Sequence, residues 1–379
     1  MASRGGAFVA LVVLCSVLAL APCGAARKKP LVPAVFVFGD SLVDVGNNNH
    51  LPNCNITCRA NYQRYGVDYP PRHSPTGRFS NGYNLADQLA QLLGFAESPP
   101  PFLSLSNASV IRRRMSRGGI NFASGGSGLL PATGGQVCGE VIPMADQVRN
   151  FTSLVRRSGS GGRTAADDLG SKSLIFISVG SNDLFEYADH LVQANISSSS
   201  RNDTGFLQGL IAYYTSYVKE LYAAGATKFS VLSPSLVGCC PFQRKVAKDS
   251  GGADQLGCLG AANNLSQQLK PMIASMLQGL SHELPGMSYS LGDAIGMAQW
   301  VFTNANFTFD RACCGEGDFG ASLCNSSVPM CQNRSSYFFW DSFHPTDAAS
   351  EITAKALFGG DTRRFVSPIN VQQLVAPRP

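Results

Sequence analysis

Charge is scarce in this sequence. Only 15% of the 379 residues are charged, and Lys+Arg 30 against Asp+Glu 25 leaves a net charge of +5. Without a Lys/Arg block, that balance argues against a dedicated nucleic-acid binder. No long apolar run occurs beyond residue 21, so the mature chain lacks a candidate membrane span. Metal-ligand spacing is missing too. Only Cys54-x-x-x-Cys58 has a plausible interval, and no Cys/His pair lies near it to complete a tetrahedral site. What is present is a 44% apolar chain, enough to bury a large core and to exclude wholesale disorder.

The N-terminus has the layout of a secretory signal peptide. Arg4 precedes an unbroken apolar run from Ala7 to Ala21, and Gly24-Ala25-Ala26 offers small residues for cleavage after Ala26. The rival reading is an uncleaved anchor in a Golgi-type membrane. The run is shorter than the roughly 20 residues a spanning helix needs, and Pro22 and Gly24 interrupt it. Cleavage removes Arg4, Cys15 and Cys23 and leaves a charge of +4. The remaining ten cysteines are Cys54, Cys58, Cys138, Cys239, Cys240, Cys258, Cys313, Cys314, Cys324 and Cys331. An even set in an oxidising compartment suggests up to five disulfides, with each member of the vicinal pairs Cys239-Cys240 and Cys313-Cys314 bonded elsewhere. Asn-x-Ser/Thr sequons stand at Asn55, Asn107, Asn150, Asn195, Asn202, Asn264, Asn306, Asn325 and Asn333. Together they fit a glycosylated, secreted protein and mark surface positions.

Strand-like runs alternate with helix-like ones. Ala34–Phe38 and Leu174–Val179 are continuous apolar runs of the kind buried parallel strands show. Lys228–Leu232 and Met287–Leu291 are weaker candidates. Apolar residues at three- and four-residue spacing predict a helix over Phe206–Ala224, capped by Asp203 or Thr204 and ended by Gly225. Further helices are expected over Ala261–Leu280, bent at Pro271, and over Thr346–Leu357. This alternation implies a parallel sheet covered by helices on both faces. Ser158-Gly-Ser-Gly-Gly162 reads as a surface loop, and neither a domain linker nor a repeat is apparent.

Four segments carry chemistry. Gly39-Asp40-Ser41-Leu42 follows the first strand directly, where parallel sheets gather reactive groups. A serine there can act as nucleophile if a base takes its proton. Trp340-Asp341-Ser342-Phe343-His344-Pro345 supplies a histidine with a carboxylate three residues earlier. That carboxylate can fix the imidazole tautomer and stabilise the imidazolium. Of His50, His73, His190, His282 and His344, only the last has this arrangement. Gly118 to Gly128 reads as a Gly-rich turn able to present backbone N–H groups, and Asn182 offers a side-chain amide after the second strong strand. Such donors suit a developing oxyanion and can be worth roughly 3–4 kcal/mol each. A plain loop and an Asx-turn are the structural alternatives for these two.

In this order the segments resemble the GDSL esterase/lipase family, the SGNH hydrolases, and in particular its plant-type branch. Phe38–Asn49, Asn121–Gly128, Gly180–Asp183 and Phe339–Pro345 look like the family's four blocks. Pro75–Gly82 and Ala312–Gly315 are similar to further segments of that branch. The resemblance spans about residues 35–365 and implies an α/β fold, a three-layer α/β/α sandwich with a mostly parallel, flavodoxin-like central sheet. It implies Ser41 as nucleophile, Asp341 as orienting acid and His344 as base, and because Ser41 and His344 stand at opposite ends of the chain and must meet in one site, a single domain over 27–379 is expected. The implied oxyanion hole is the N–H of Ser41, Gly126 (Gly125 as runner-up) and Asn182. The branch often has Tyr where this chain has Leu184. No G-x-S-x-G elbow occurs, which disfavours the ordinary α/β-hydrolase reading.

The expected activity is secreted carboxylic-ester hydrolysis through an acyl-enzyme, with no metal or organic cofactor. Acylated cell-wall polysaccharide, such as acetylated xylan, and lipid esters compete as substrates. Lacking an apolar lid segment, the chain is expected to favour small acyl groups or soluble esters. An acyltransferase with the same site and a non-catalytic carbohydrate-binding protein are the alternatives. No nucleic-acid partner is expected, and the default state is a monomer. Arg78, Phe79 and Asn81 are read as bracing, and Tyr69 and Trp300 as core.

Overall fold

The computed structural model describes residues 29–70, 73–158, 172–196 and 200–377. The signal segment 1–26 and the polar loop beyond Ser158 lie outside the described residues. Six strands form the central sheet: β1 (Ala34–Gly39), β2 (Gly118–Asn121), β3 (Leu174–Ser178), β4 (Lys228–Leu232), β5 (Ser288–Gly292) and, after two strands elsewhere, β8 (Val366–Pro368). Their spatial order is β2-β1-β3-β4-β5-β8, all parallel except β8. The four strand-like runs of the sequence are therefore β1, β3, β4 and β5, the last shifted by one residue.

The sheet is buried on both faces, which is why β1 and β3 read as unbroken apolar runs. Alternate residues serve opposite cores. Phe36, Phe38, Ile175, Ile177, Phe229 and Val231 face one. That core is closed by helices α4 (Met144–Ser158), α5 (Ser181–Gln193), α6 (Asp203–Ala223) and α8 (Gly260–Glu283), while α2 (Ala108–Ser116), α3 (Gly135–Cys138) and α7 (Pro241–Ser250) lie between the other elements. Val35, Val37, Leu174 and Phe176 face the other. It is closed by α1 (Leu85–Leu92), α9 (Ala294–Asn304) and α10 (Asp347–Gly359). The expected helices match α6, α8 and α10, with Pro271 inside α8 and Thr346 capping α10. The cap of α6 differs from expectation. Asn202, one residue earlier, accepts from Gly205 N–H.

Two sequence expectations are corrected. Gly118–Asn121 is not part of a turn but the edge strand β2, in register with Ala34–Val37. Its glycines are needed, because a Cβ on Gly119 (φ +97) would lie 1.8 Å from Val35 O. The cysteines form four disulfides among the described residues: Cys58–Cys138, Cys239–Cys258, Cys313–Cys331 and Cys314–Cys324. Cys54 and Cys240 are free and buried, so the second vicinal pair is doubly bonded and the first only once.

The short parallel strands β6 (Thr308–Ala312) and β7 (Tyr337–Phe339) form a separate pair. With two disulfides and fully buried Trp340 they build a small satellite core. It packs directly behind the loop that carries His344. No helix among the described residues is long and apolar enough to cross a membrane.

Candidate active site

The order β2-β1-β3 reverses direction between β1 and β3, and ligands gather at such switch points. Both Ser41 and Asn182 emerge there, after β1 and β3 respectively. Gly39 makes the first turn possible. With φ +139, any Cβ there would lie 1.9 Å from Ser178 O, so only glycine lets β1 hug β3 to its end. Gln147 then grips the Gly39 backbone, its Oε1 accepting from the N–H and its Nε2 donating to the carbonyl, each at 2.9 Å.

His344 arrives from the other end of the chain. Its Nε2 lies 2.8 Å from Ser41 Oγ, across 303 residues of sequence. Its Nδ1 lies 2.8 and 2.9 Å from the two Asp341 oxygens. The tight turn is fixed by Asp341 Oδ1, which also accepts from the N–H of Phe343 and of His344. The backbone is anchored when Trp340 N–H donates to His344 O and Cys314 N–H to Trp340 O. Tyr65 adds a fourth partner, donating its hydroxyl to Asp341 Oδ2 at 2.7 Å. Burial alone would raise the Asp341 carboxyl. The His344 charge and hydrogen bond, the Phe343 amide and Tyr65 outweigh it and hold the group below the usual carboxylate range.

Gly126 and Asn182 flank Ser41 on the same cleft. The Gly125 N–H is committed to Asp44 Oδ2 at 3.0 Å, while Gly126, the next residue, lines the cleft. Gly126 has φ +86, and a Cβ there would press within 2.6 Å of the Cys138 sulfur. One N–H of Asn182 Nδ2 donates to Ser127 O at 2.9 Å, leaving the second unspent. The loop bearing Gly126 is clamped by Asp183, whose carboxylate accepts from Leu129 N–H, Leu130 N–H and Thr133 Oγ1. Burial pushes Asp183 and Asp44 up to about 6 despite these bonds. Asp40 is almost wholly buried, with one oxygen accepting from Leu42 N–H and the other unpartnered, and burial pushes it up to about 7.

The other sequence candidates fall on both sides of expectation. Arg78 does brace, pairing with buried Asp87 at 2.6 and 2.8 Å, and Asn81 bonds Asp68 and the Asp347 amide. Phe79 does more: its ring lies tilted against the His344 imidazole, with centroids 4.7 Å apart, and lines the cleft. Trp300 also lines the cleft, whereas Tyr69 sits under the Arg78 guanidinium away from it. Sequence reasoning missed Tyr65 entirely, and gave Asp44 and Asp183 no role although both lie inside the quoted blocks. An acid inside a block whose chemistry needs no second acid is the signal that was available. Of the nine sequon asparagines, Asn150 and Asn325 are half-buried and the other seven exposed.

The cleft holds about 630 Å³, and Ser41 and His344 both line it. Its walls are mostly apolar, including Leu42, Phe185, Leu236, Phe242, Met297 and Phe338. Such a volume falls within the range of small-molecule sites. The arrangement can activate a hydroxyl, receive its proton and stabilise an oxyanion beside an apolar wall.

Comparison with known proteins identifies the family. The model of the GDSL-like lipase/acylhydrolase family matches residues 35–357. One GDSL esterase/lipase of Arabidopsis thaliana is 36% identical over 91% of this chain and 86% of its own length. A second from the same plant is 32% identical over 97% and 99%, and a third 36% identical over 93% and 92%. The chain thus belongs to the GDSL-like lipase/acylhydrolase family, whose relatives here are named as esterases and lipases, hydrolases of carboxylic esters.

Proposed function

We propose that this protein is a secreted serine esterase that works through Ser41, His344 and Asp341. The observation that carries the reading is the unbroken relay from Ser41 Oγ to His344 Nε2 and from His344 Nδ1 to Asp341. His344 takes the Ser41 proton as Oγ attacks the ester carbonyl carbon. The carbonyl oxygen becomes an oxyanion, met by the N–H groups of Ser41 and Gly126 and by Asn182 Nδ2. Collapse expels the alcohol, which leaves with the proton held on His344. Water, deprotonated by His344, then attacks the acyl-enzyme, and a second collapse returns the proton to Ser41 and releases the acid. Asp341 keeps its charge throughout and stabilises the imidazolium.

Ser41→Ala should abolish turnover of a short-chain p-nitrophenyl ester, and a mutant retaining wild-type rates would sink the assignment. Lipid esters and acylated cell-wall polysaccharide are the substrates in question. Acetate release from xylan measured beside fatty-acid release from triglyceride separates them.

The secreted compartment is supported by the signal-like N-terminus, the disulfides and the exposed sequons, with cleavage after Ala26 and a single domain over 27–379. Mass spectrometry of secreted protein reads both the new N-terminus and the glycan occupancy.

A further inference from the structure

Large apolar side chains left in water carry meaning when they cluster. Among the described residues seven stand exposed, and three of them line the cleft: Val137 at 64%, Leu323 at 48% and Phe343 at 36%. A fourth, Ile56 at 67%, directly precedes Thr57, which also lines it. That three of the seven share one cleft, with a fourth beside a residue that lines it, is the first observation.

The second is how these side chains are held. Val137 immediately precedes Cys138, which is bonded to Cys58, two residues after Ile56. Asn55 Nδ2 also donates to Val137 O at 2.7 Å, tying the same two loops. Leu323 immediately precedes Cys324, bonded to Cys314 of the satellite core. Phe343 is pinned by its N–H bond to Asp341 and by the rings of Phe242 and Phe185, 5.0 and 5.5 Å away. A disulfide beside Ile56, Val137 and Leu323, and the ring contacts of Phe343, thus restrain the backbone that presents these side chains.

Resting on the ester-hydrolase reading above, we propose that Ile56, Val137, Leu323 and Phe343 form an apolar docking rim that seats the cleft mouth on the surface of an aggregated lipid-ester phase. Three of the four are aliphatic, with no polar atom to meet the hydroxyls of a polysaccharide. The rim is continuous with the apolar cleft wall, so an acyl tail passes from the phase to Ser41 without crossing water. Burying such side chains in an apolar phase is favourable in proportion to the area removed from water.

The test uses binding, so it succeeds or fails independently of the Ser41 mechanism. The chain carrying Ser41→Ala is mixed with triolein droplets, which are then floated by centrifugation. The protein should rise with the droplets and stay with them in 1 M NaCl, where the Debye length is only about 3 Å. Adding Ile56→Ser, Val137→Ser and Leu323→Ser should cut partitioning at least about tenfold, from the loss of several buried apolar groups. Leu323→Ser alone should lower it several-fold, and the melting temperature checks that each variant folds. Protein that stays below the droplets overturns the proposal. So does a triple variant that floats as well as the parent, or attachment lost in high salt, which would point to charge. Loss of acetylated-xylan binding with droplet binding intact would assign the rim to polysaccharide instead.

Discussion

Tyr65 and Asp341 are joined by a 2.7 Å hydrogen bond between groups 276 residues apart, and the acid that orients His344 thereby gains a buried donor from the N-terminal half of the chain. A hydrogen bond to a charged group is worth about 1.5–3 kcal/mol. Tyr65→Phe should therefore lower kcat about tenfold or more, with KM for a small ester little changed. It should also move the acid limb of the pH–rate profile, because Asp341 loses one of the bonds that favour its charged form. An unchanged profile would make Tyr65 a packing residue only.

Asn182→Ala removes one side-chain donor from the expected oxyanion position. Loss of a comparable donor costs about 10²–10³ in kcat. A fall below tenfold would move the oxyanion elsewhere.

Asp40 sets a pH dependence of stability. Its carboxyl is raised from the ordinary 3.8 to about 7 in the folded protein, chiefly by burial. The native state thus holds a proton the unfolded chain has released. The corresponding stability is present below about pH 4 and is lost as pH rises through 7. Asp341, held low, works in the opposite sense and loses its contribution only as pH falls below the usual carboxylate range. Melting temperature should fall between pH 5 and pH 8, and Asp40→Asn should flatten that slope. A wild-type protein equally stable across this range would refute it.

Arg78 and Asp87 form a buried ion pair, with side-chain exposures of 9% and 2%. Asp87 also accepts from Asn84 N–H at the start of α1. Arg78→Ala strands that carboxylate and should cost about 3–5 kcal/mol in denaturant unfolding.

Thiol titration in denaturant without reductant should find two free thiols in the chain from residue 27, those of Cys54 and Cys240. After full reduction it should find ten.

The sequence showed most where the physics is local. β1 and β3 are legible because both faces are buried, and α6 because one stripe is. Ser41, Asp341 and His344 were legible because a strand end and a three-residue turn place them. β2 was not, because Gly118-Gly-Ile-Asn has no apolar period. What makes it a strand is the closeness of Val35, a tertiary fact. Phe79 on His344 and Tyr65 on Asp341 belong to the same class, since nothing near either residue marks its distant partner. The cysteine pairing was equally out of reach, because count and spacing leave connectivity open.

The 303-residue span between Ser41 and His344 also sets when the proposed relay can form. A chain emerging from the ribosome presents its nucleophile early and its base very late. No partly synthesised product holds a working relay. The chain is thus without this relay throughout its synthesis and assembles it only once nearly its whole length has been made and folded.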